Sequence, residues 1–333
     1  MTPPTLRWFG AADVLAAMPP IDERLRLAER TMIALAQPGA SDLPPKIAIH
    51  PRPDGSFAHA MPAYLRGEGI ASDLVGIKWI AGFGANVALG LPALSAVVVL
   101  NDPETGLPTA ILDGGPITAQ RTAAVTGVAI RHFCPSPEAR ATSHVALIGA
   151  GVQGRAHVPV IGALLPGSTV HLHDRHPERA AALADEARGT RGIGEVLVHA
   201  TAREAIKGSD VVITAASFAS PSERQSMTNE WLRSDATVIP VDYATFCSAE
   251  VARESALFLV DHREQFLANR DTGSFDGYPD PAATIGEALL ARTPRPPGRV
   301  VITHLGVGLA DLVFADVIVR AAIAGGHATT LRR

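Results

Sequence analysis

The chain has 333 residues, of which 47% are hydrophobic and 19% charged, and its formal net charge is −4. These values are typical of a globular protein of about two domains, and they offer no basic surface for nucleic acid or for an anionic membrane. Cys134 and Cys247 form no C-x-x-C pair, and neither a signal peptide nor a membrane-spanning apolar run is visible, so we expect a cytoplasmic protein without a disulfide framework or a zinc site.

The first predicted element is a helix over residues 11–37, where apolar residues recur roughly on one face and Pro19-Pro20 interrupts the pattern. Between Pro44 and Leu112 the pattern changes to short apolar runs separated by turn residues, which predicts a hairpin-rich antiparallel sheet. The predicted strands of this region are 46–50, 56–61, 76–80, 96–101 and 108–113.

A helix is predicted from Thr118, as its N-cap, to His132. After it, short apolar runs alternate with helical segments, which predicts a parallel sheet with helices on its faces. The predicted strands are 145–148, 169–173, 196–200, 211–214, 237–240 and 257–260, and the helices are 153–165 and 177–187. The segment 271–281, rich in Asp, Gly and Pro, is predicted to be a surface loop, and 309–324 a long apolar helix.

A glycine-rich motif, G-A-G-V-Q-G over residues 149–154, directly follows a predicted strand and opens the next helix. In this context Gly149 permits the tight turn, Gly151 lets a pyrophosphate approach the backbone, and Gly154 lets the helix pack on the strand. The helix N-terminus adds free N–H groups for the phosphates. The alternative is a purely structural turn. The predicted coenzyme-binding residues here are Gly149, Gly151, Val152, Gln153 and Gly154.

Asp174 ends the next predicted strand, about 20 residues after Gly154, where a carboxylate accepts the ribose hydroxyls of the coenzyme. A carboxylate repels a 2′-phosphate, which favours NAD over NADP, but Arg175 can pair with that phosphate and leaves NADP open. Thr214 and Ser217 follow a later strand, and we expect them beside the coenzyme because ligands bind at the carboxyl edge of such sheets. The histidines of 171–176 are interpreted as strand and loop residues, not metal ligands.

Three basic residues have apolar neighbours in the sequence: Lys46, Lys78 and Arg121. Arginine presents a planar fork to a carboxylate, and lysine presents a point charge. A partly buried cation needs an anion, which is either the substrate or a structural carboxylate such as Asp113.

At these residues the sequence resembles the ornithine cyclodeaminase/mu-crystallin family over nearly its whole length. The resemblance is carried by residues 59–65, 76–78, 86, 90–92, 102–106, 118–124, 149–154, 305–306 and 310–311. It implies an α/β protein in which a Rossmann dinucleotide-binding domain, residues 121–303, is inserted into an α+β substrate-binding and dimerisation domain, residues 1–120 and 304–333. It also implies a homodimer formed through the β-rich domain and a substrate site that faces the nicotinamide.

The resemblance further implies that Lys46, Lys78 and Arg121 hold the substrate carboxylate, with Lys46 where arginine is usual. His59 stands where the cyclodeaminase has a glutamate that handles the substrate amine. An imidazole is a poor anchor for a distal ammonium, but it can transfer a proton near neutral pH. Asp242, at the end of a predicted strand, is the other candidate for proton transfer. The structural alternatives are a strand hydrogen bond for His59 and a loop-capping role for Asp242.

Together these residues predict an NAD(P)H-dependent imine (ketimine) reductase or amino-acid dehydrogenase that acts on the C–N bond of a small amine or amino acid. A cyclic ketimine acid, pyruvate with ammonia, an N-substituted amino acid and an imine without a carboxylate all stay open as substrates. One alternative is an ornithine cyclodeaminase, a lyase with NAD as internal redox cofactor. His59 and the poor match of residues 243–250 argue against it. The other is a non-enzymatic binding protein like mu-crystallin, against which the retained cations argue.

Overall fold

The computed structural model describes residues 5–52, 55–135, 142–217 and 223–332, and the chain divides into two compact units. The first unit contains the residues up to Arg121 and those from Gly306 onward, and the second unit runs from Thr122 to Leu305. The second unit is therefore inserted into the sequence of the first, as in the predicted fold class.

The N-terminal part of the first unit begins with helices and continues with antiparallel strands. Its elements are β1 (Leu6–Phe9), α1 (Ala11–Ala16), α2 (Ile21–Ala36), β2 (Ser41–Asp42), β3 (Ile47–Ile49), β4 (Phe57–Leu65), β5 (Leu74–Gly82), β6 (Leu94–Asn101), β7 (Pro108–Asp113) and α3 (Gly114–Phe133), which continues into the second unit. Pro19 and Pro20 separate α1 from α2, because proline lacks the N–H that a continuous helix would need. Burial alternates along the sheet, so that Lys78 and Ile80 of β5 are buried while Trp79 between them is exposed.

Helix α3 begins at Gly114, so the prediction that Thr118 is its N-cap is wrong. The carboxylate of Asp113 accepts the backbone N–H of Gly115 at 2.8 Å and thereby satisfies a donor of the first turn. Pro116 is tolerated in this turn because its missing N–H would have no partner within the helix. Thr118 lies inside the helix, where its hydroxyl donates to the carbonyl of Gly114 at 2.6 Å.

The second unit alternates strands and helices. Its elements are β8 (His144–Ile148), α4 (Val152–Leu164), β9 (Ser168–His173), α5 (Pro177–Arg188), β10 (Ile193–Val198), α6 (Ala202–Ile206), β11 (Val211–Thr214), β12 (Thr237–Pro240), α7 (Ala249–Arg253), β13 (Leu257–Val260), α8 (Arg263–Asp271), β14 (Ala283–Thr284), α9 (Ile285–Leu290) and β15 (Val300–Thr303).

The strands of the second unit form one parallel sheet in the order β10-β9-β8-β11-β12-β15-β13-β14. The first five are the third, second, first, fourth and fifth strands of the unit, which is the order of dinucleotide-binding folds. The direction of chain progression reverses between β8 and β11. Ligands bind at the carboxyl ends of the strands at such a point, so the residues after β8 and β11 are placed for a site.

The segment 271–281 is a run of turns and irregular chain in which most residues are exposed, as its composition predicts, but two of its aromatic residues are buried. Phe275 and Tyr278 are buried in the hydrophobic core of the second unit, where they pack against Phe266 and each other. Aromatic rings bury a large apolar surface, so these two side chains anchor the loop on the core. Composition therefore predicts the loop, but not the two aromatic side chains that fix it to the core.

The chain returns to the first unit as α10 (Gly308–Ala324) and β16 (Thr329–Leu331). The sheet of this unit has the order β16-β1-β7-β6-β5-β4-β2, with β3 also paired to β4, and its pairs are antiparallel except for β1 with β7. Helix α10 packs against β4, β5 and β6. Side chains on the buried face of these strands are thereby enclosed, including the charged Lys78.

Candidate active site

The glycine turn, residues 149–154, connects β8 to α4. Gly149 has a φ of 110°, and a Cβ there would overlap the backbone carbonyl of Ala215. A Cβ on Gly154 would overlap the carbonyl of Gly149. At Gly151, by contrast, a Cβ would meet no atom within 4 Å. Packing of the chain therefore requires the first and last glycines, whereas the middle one leaves open space in which a ligand can approach the backbone.

The N-terminus of α4 follows this turn directly. Gly151 is its N-cap and provides no side-chain hydrogen bond, while Val152 is exposed and Gln153 half-buried in the first turn. Asp174 anchors the same turn, because its Oδ2 accepts the N–H of Ala150 at 2.7 Å. Arg175 beside it is exposed. The N-terminus of a helix and a neighbouring carboxylate acceptor fit the pyrophosphate and ribose of a dinucleotide.

Asp242 lies beyond the carboxyl end of β12 and is only 4% exposed. Burial raises the pKa of its carboxyl to about 6, although the Thr214 side chain and the Ala216 backbone N–H act in the opposite direction. That N–H donates to its Oδ2 at 3.2 Å. At neutral pH the group is thus close to the range in which it exchanges a proton.

The backbone after Asp242 is strained. Tyr243 and Ala244 have φ values of 55° and 56°, in the left-handed region that side chains with a Cβ rarely adopt. Such strain is common at functional sites, where the surrounding fold holds an unfavourable conformation. The structure thus brings Asp242 together with Thr214 at the carboxyl edge of the sheet, and Ser217 follows as an exposed residue.

Two of the predicted cations of the first unit share one carboxylate. Lys78 Nζ lies 2.9 Å from Asp311 Oδ2, and Arg121 Nε lies 3.1 Å from Asp311 Oδ1. Lys78 and Asp311 are 0% exposed and Arg121 is 5% exposed. We call these three residues the cationic cluster. Two positive groups and one negative group leave a net positive charge in a buried place, which favours binding of one further anion.

The sequence pattern did not predict that Asp311 is the carboxylate that pairs with these two cations. Asp113, the structural partner suggested there, caps α3 instead. Asp311 occupies the first turn of α10, where the helix dipole stabilises a negative charge. Burial lowers the pKa of Lys78 to about 8, and Asp311 opposes that shift, so the ammonium is still mostly protonated at neutral pH. The glycine at position 306 is also required, since a Cβ there would overlap the guanidinium of Arg121.

His59 lies on β4, where its ring stacks on Phe57 with the centroids 4.5 Å apart. Burial, together with the charges of Lys46, His50 and Lys78, lowers the pKa of His59 to about 4. A pKa of about 4 keeps the ring of His59 neutral at neutral pH, which argues against the expected proton transfer by this imidazole. Lys46, just before β3, is half-buried.

Three imidazoles of the second unit hydrogen-bond in series. His171 Nε2 lies 3.0 Å from His144 Nδ1, and His171 Nδ1 lies 2.9 Å from His199 Nε2. Across residues 5–52, 55–135, 142–217 and 223–332, no group of three or more His, Cys, Asp or Glu side chains is placed to hold a metal ion. In the same ranges, no helix has the length and apolar character that crossing a bilayer requires.

Comparison with known proteins adds to this geometry. The model of the ornithine cyclodeaminase/mu-crystallin family matches residues 15–317. Nodulation efficiency protein NfeD of Rhizobium meliloti is 32% identical over 319 residues, 94% of each chain. Ketimine reductase mu-crystallin of Mus musculus is 28% identical over 79% of each chain. The structure of Thermococcus litoralis Delta(1)-pyrroline-2-carboxylate reductase in complex with NADH and L-proline superposes with a TM-score of 0.83, at 24% identity, over 98% of this chain and 100% of that one.

Proposed function

Because the chain belongs to the ornithine cyclodeaminase/mu-crystallin family, we propose that it is an NAD(P)H-dependent imine reductase that acts on the C–N bond of a small imino or amino acid. The observation that carries the proposal is the buried cationic cluster, in which Lys78 and Arg121 share the single carboxylate of Asp311. Its excess positive charge suits the carboxylate of an amino acid. The names of the mouse and Thermococcus relatives, a ketimine reductase and a pyrroline-carboxylate reductase, support the same chemistry.

The residues of the glycine turn fit a nicotinamide dinucleotide as the coenzyme. The open space at Gly151 and the N-terminus of α4 suit its pyrophosphate, and Asp174 suits its ribose hydroxyls. We propose NAD as the preferred form, because Asp174 repels a 2′-phosphate, with NADP as a second form that Arg175 can accept. When bound, the reduced coenzyme supplies a hydride to the imine carbon.

In this proposal Lys78 and Arg121 bind and orient the substrate carboxylate, and Asp242 moves the proton. In the reductive direction the imine nitrogen gains one proton as its carbon gains the hydride, so a protonated Asp242 acts as the acid. In the oxidative direction its carboxylate accepts the proton from the amine. The raised pKa of Asp242, about 6, makes both forms accessible at moderate pH. His59 is neutral in this pH range and takes no part in the proton transfer.

We further propose that the protein is a homodimer. The exposed face of the first unit's sheet carries a row of apolar residues, because Ile47 is opposite Ala60 and Ala60 is opposite Trp79. Ile47 and Trp79 are 59% and 41% exposed. An apolar surface of this kind is typical of a subunit interface. The two cysteines are unpaired, which suits the reducing cytoplasm where we place the protein.

The direct test is oxidation of NADH and of NADPH by the purified protein, followed by absorbance, with a panel of cyclic imines and of 2-oxo acids paired with ammonia or methylamine. We expect turnover with carboxylated members and much less with their carboxylate-free counterparts. Ammonia release from ornithine without net change in NADH would instead establish the cyclodeaminase. Coenzyme binding without any turnover across the panel would establish a ligand-binding protein.

A further inference from the structure

One face of β3, β4 and β5 brings together side chains that are far apart in the sequence. Ile47 is opposite Ala60, so the preceding residue, Lys46, falls beside Met61 on the same face of the sheet. Met61 is in turn opposite Lys78. His59 lies two residues from Met61 on β4 and shares its face, because successive strand residues alternate between faces. Lys46, His59 and Lys78 therefore lie on one surface.

Among the residues that the structure describes, the charges that act on the ring of His59 are positive. Lys46, His50 and Lys78 all act against protonation of its ring, and Lys46 contributes the largest of these charge effects. Asp311, the carboxylate of the cationic cluster, is already bonded to Lys78 and to Arg121. A ligand group placed beside His59 thus meets a positive potential and a neutral ring that can donate one N–H.

The positive charges near His59 favour substrates whose distal group, the one remote from the reacting carbon, is negatively charged. A distal ammonium is repelled, a neutral alkyl group gains nothing, and a distal carboxylate gains both the charge of Lys46 and a hydrogen bond from His59. We propose that Lys46 and His59 form a second anion-binding subsite, and that the substrates are imino acids with a second carboxylate. This inference rests on the proposed function, since it concerns the same substrate.

In the two subsites, different cations bind the two carboxylates of the substrate. The resemblance to the family implies that all three cations hold one carboxylate, but the two that share Asp311 are Lys78 and Arg121. In the proposed arrangement these two take the carboxylate next to the reacting carbon, and Lys46 takes the distal one. Strand β4 lies between Lys46 and Lys78, which sets their backbones roughly 10 Å apart. At this separation the two ammonium groups can contact different parts of one ligand, and a flexible lysine at position 46 suits a group whose position varies with chain length better than a rigid guanidinium does.

A matched ligand series tests the subsite through binding, without requiring turnover. Racemic glutamate, norvaline and ornithine have five carbons and differ only in the distal group, and aspartate, 2-aminobutyrate and 2,4-diaminobutyrate form the four-carbon equivalent. Calorimetry is performed on protein saturated with NAD⁺. We expect the dicarboxylic member of at least one series to bind at least about tenfold more tightly than its neutral counterpart, and the diamino member to bind most weakly. Equal or tighter binding of the neutral or diamino members in both series would overturn the proposal.

Substitutions of His59 and Lys46 test whether these two residues cause the preference for a dicarboxylate. In His59→Glu and in Lys46→Gln we expect the preference for the dicarboxylate to fall at least about tenfold, while affinity for the neutral member changes less than about threefold. The unchanged neutral ligand shows that each variant is folded. The controls are His327→Glu and Lys207→Gln, which make the same substitutions outside this face and should retain the preference. An unaltered preference in both test variants would contradict the subsite.

Kinetics separates this inference from the proposed function. The wild-type protein and the variants are assayed for NADH oxidation with ammonia and either 2-oxoglutarate or 2-oxopentanoate, and the loss in Lys46→Gln is expected in KM for the dicarboxylate and not in kcat. Turnover of both acids without preference would leave the reductase intact and remove the subsite. Selective dicarboxylate binding without turnover of either acid would leave the subsite intact and remove the reductase.

Discussion

The glycine turn and the cationic cluster are built over very different distances along the chain. The turn lies within residues 149–154, and Asp174, which anchors it, accepts the N–H of Ala150 only 24 positions away. The cluster joins Asp311 to Lys78 across 233 positions and to Arg121 across 190. A site made of backbone geometry is recognisable from a short motif, whereas a site made of buried charges depends on which distant elements the fold packs together.

The strongest test of this difference is removal of the shared carboxylate. Asp311→Asn keeps the size of the side chain but leaves two buried cations without their partner, so we expect a loss of roughly 3–5 kcal/mol in the free energy of unfolding, measured in urea at neutral pH. The matched control is Asp316→Asn, also on α10, whose ion pair with Arg320 is largely exposed. That change should cost less than about 1 kcal/mol. Similar losses for the two variants would show that the cluster does not stabilise the first unit.

The next prediction concerns Asp242 in the second unit. Its place after a strand is visible in the sequence, whereas its raised pKa is due to burial. We expect Asp242→Asn to lower kcat for imine reduction by roughly 10²–10⁴-fold while NADH still binds. In the wild type, the reductive rate should fall as pH rises through about 6, since the acid is lost, and the oxidative rate should rise over the same range. A pH profile of the variant that matches the wild type would exclude Asp242 as the proton-transfer group.

The same carboxyl links pH to stability. Its native pKa, about 6, exceeds the value of 3.8 for an exposed aspartate, so the native state binds this proton more tightly than the unfolded state does. The charged form therefore costs stability fully above pH 6, by at most about 3 kcal/mol, and the cost vanishes as pH falls toward 4. Asp242→Asn should be more stable than the wild type at pH 8, with the difference shrinking at pH 4. Urea unfolding at both values measures it.

Two glycine substitutions separate packing from ligand space within the turn. Gly154→Ala places a Cβ against the carbonyl of Gly149, and we expect it to lower stability by roughly 1–3 kcal/mol. Gly151→Ala meets no atom of the chain, so its stability should change by less than about 1 kcal/mol. Its NADH dissociation constant should nevertheless rise at least about tenfold, because the Cβ fills the space for the pyrophosphate. Tight NADH binding by Gly151→Ala would point to a purely structural turn.

The smallest expected effect on the fold concerns the exposed face of the first unit. Trp79→Glu puts a charge in the apolar row of β5, and we expect the solution mass to shift from dimer to monomer. Light scattering coupled to size-exclusion chromatography measures this mass. Thermal unfolding of the monomeric variant, and the same measurement on the control Ile70→Glu, show whether the loss is specific to the sheet face. A wild-type protein that is already monomeric would remove the dimer proposal.

Local sequence patterns predicted many helices and strands of the second unit. For some of these elements, the patterns also predicted the first and the last residue. The strands β11, β12 and β13 have the predicted bounds, because continuous apolar runs of this length suit strands buried on both faces. The short helices α6 and α7 were not predicted, since five residues are too few to show a helical period. The start of α3 was misplaced because the capping side chain, Asp113, belongs to the preceding strand.

The sequence by itself determined the glycine turn, the alternation that makes a parallel sheet, and the identity of the two cations that the cluster buries. These depend on residues close together, where periodicity and the geometry of glycine act directly. Only the tertiary structure decided that Asp311 pairs with both Lys78 and Arg121, that the ring of His59 is neutral, and that the carboxyl of Asp242 is a weak acid. Those properties depend on burial and on charges from distant strands and helices, and neither quantity exists until the chain has folded.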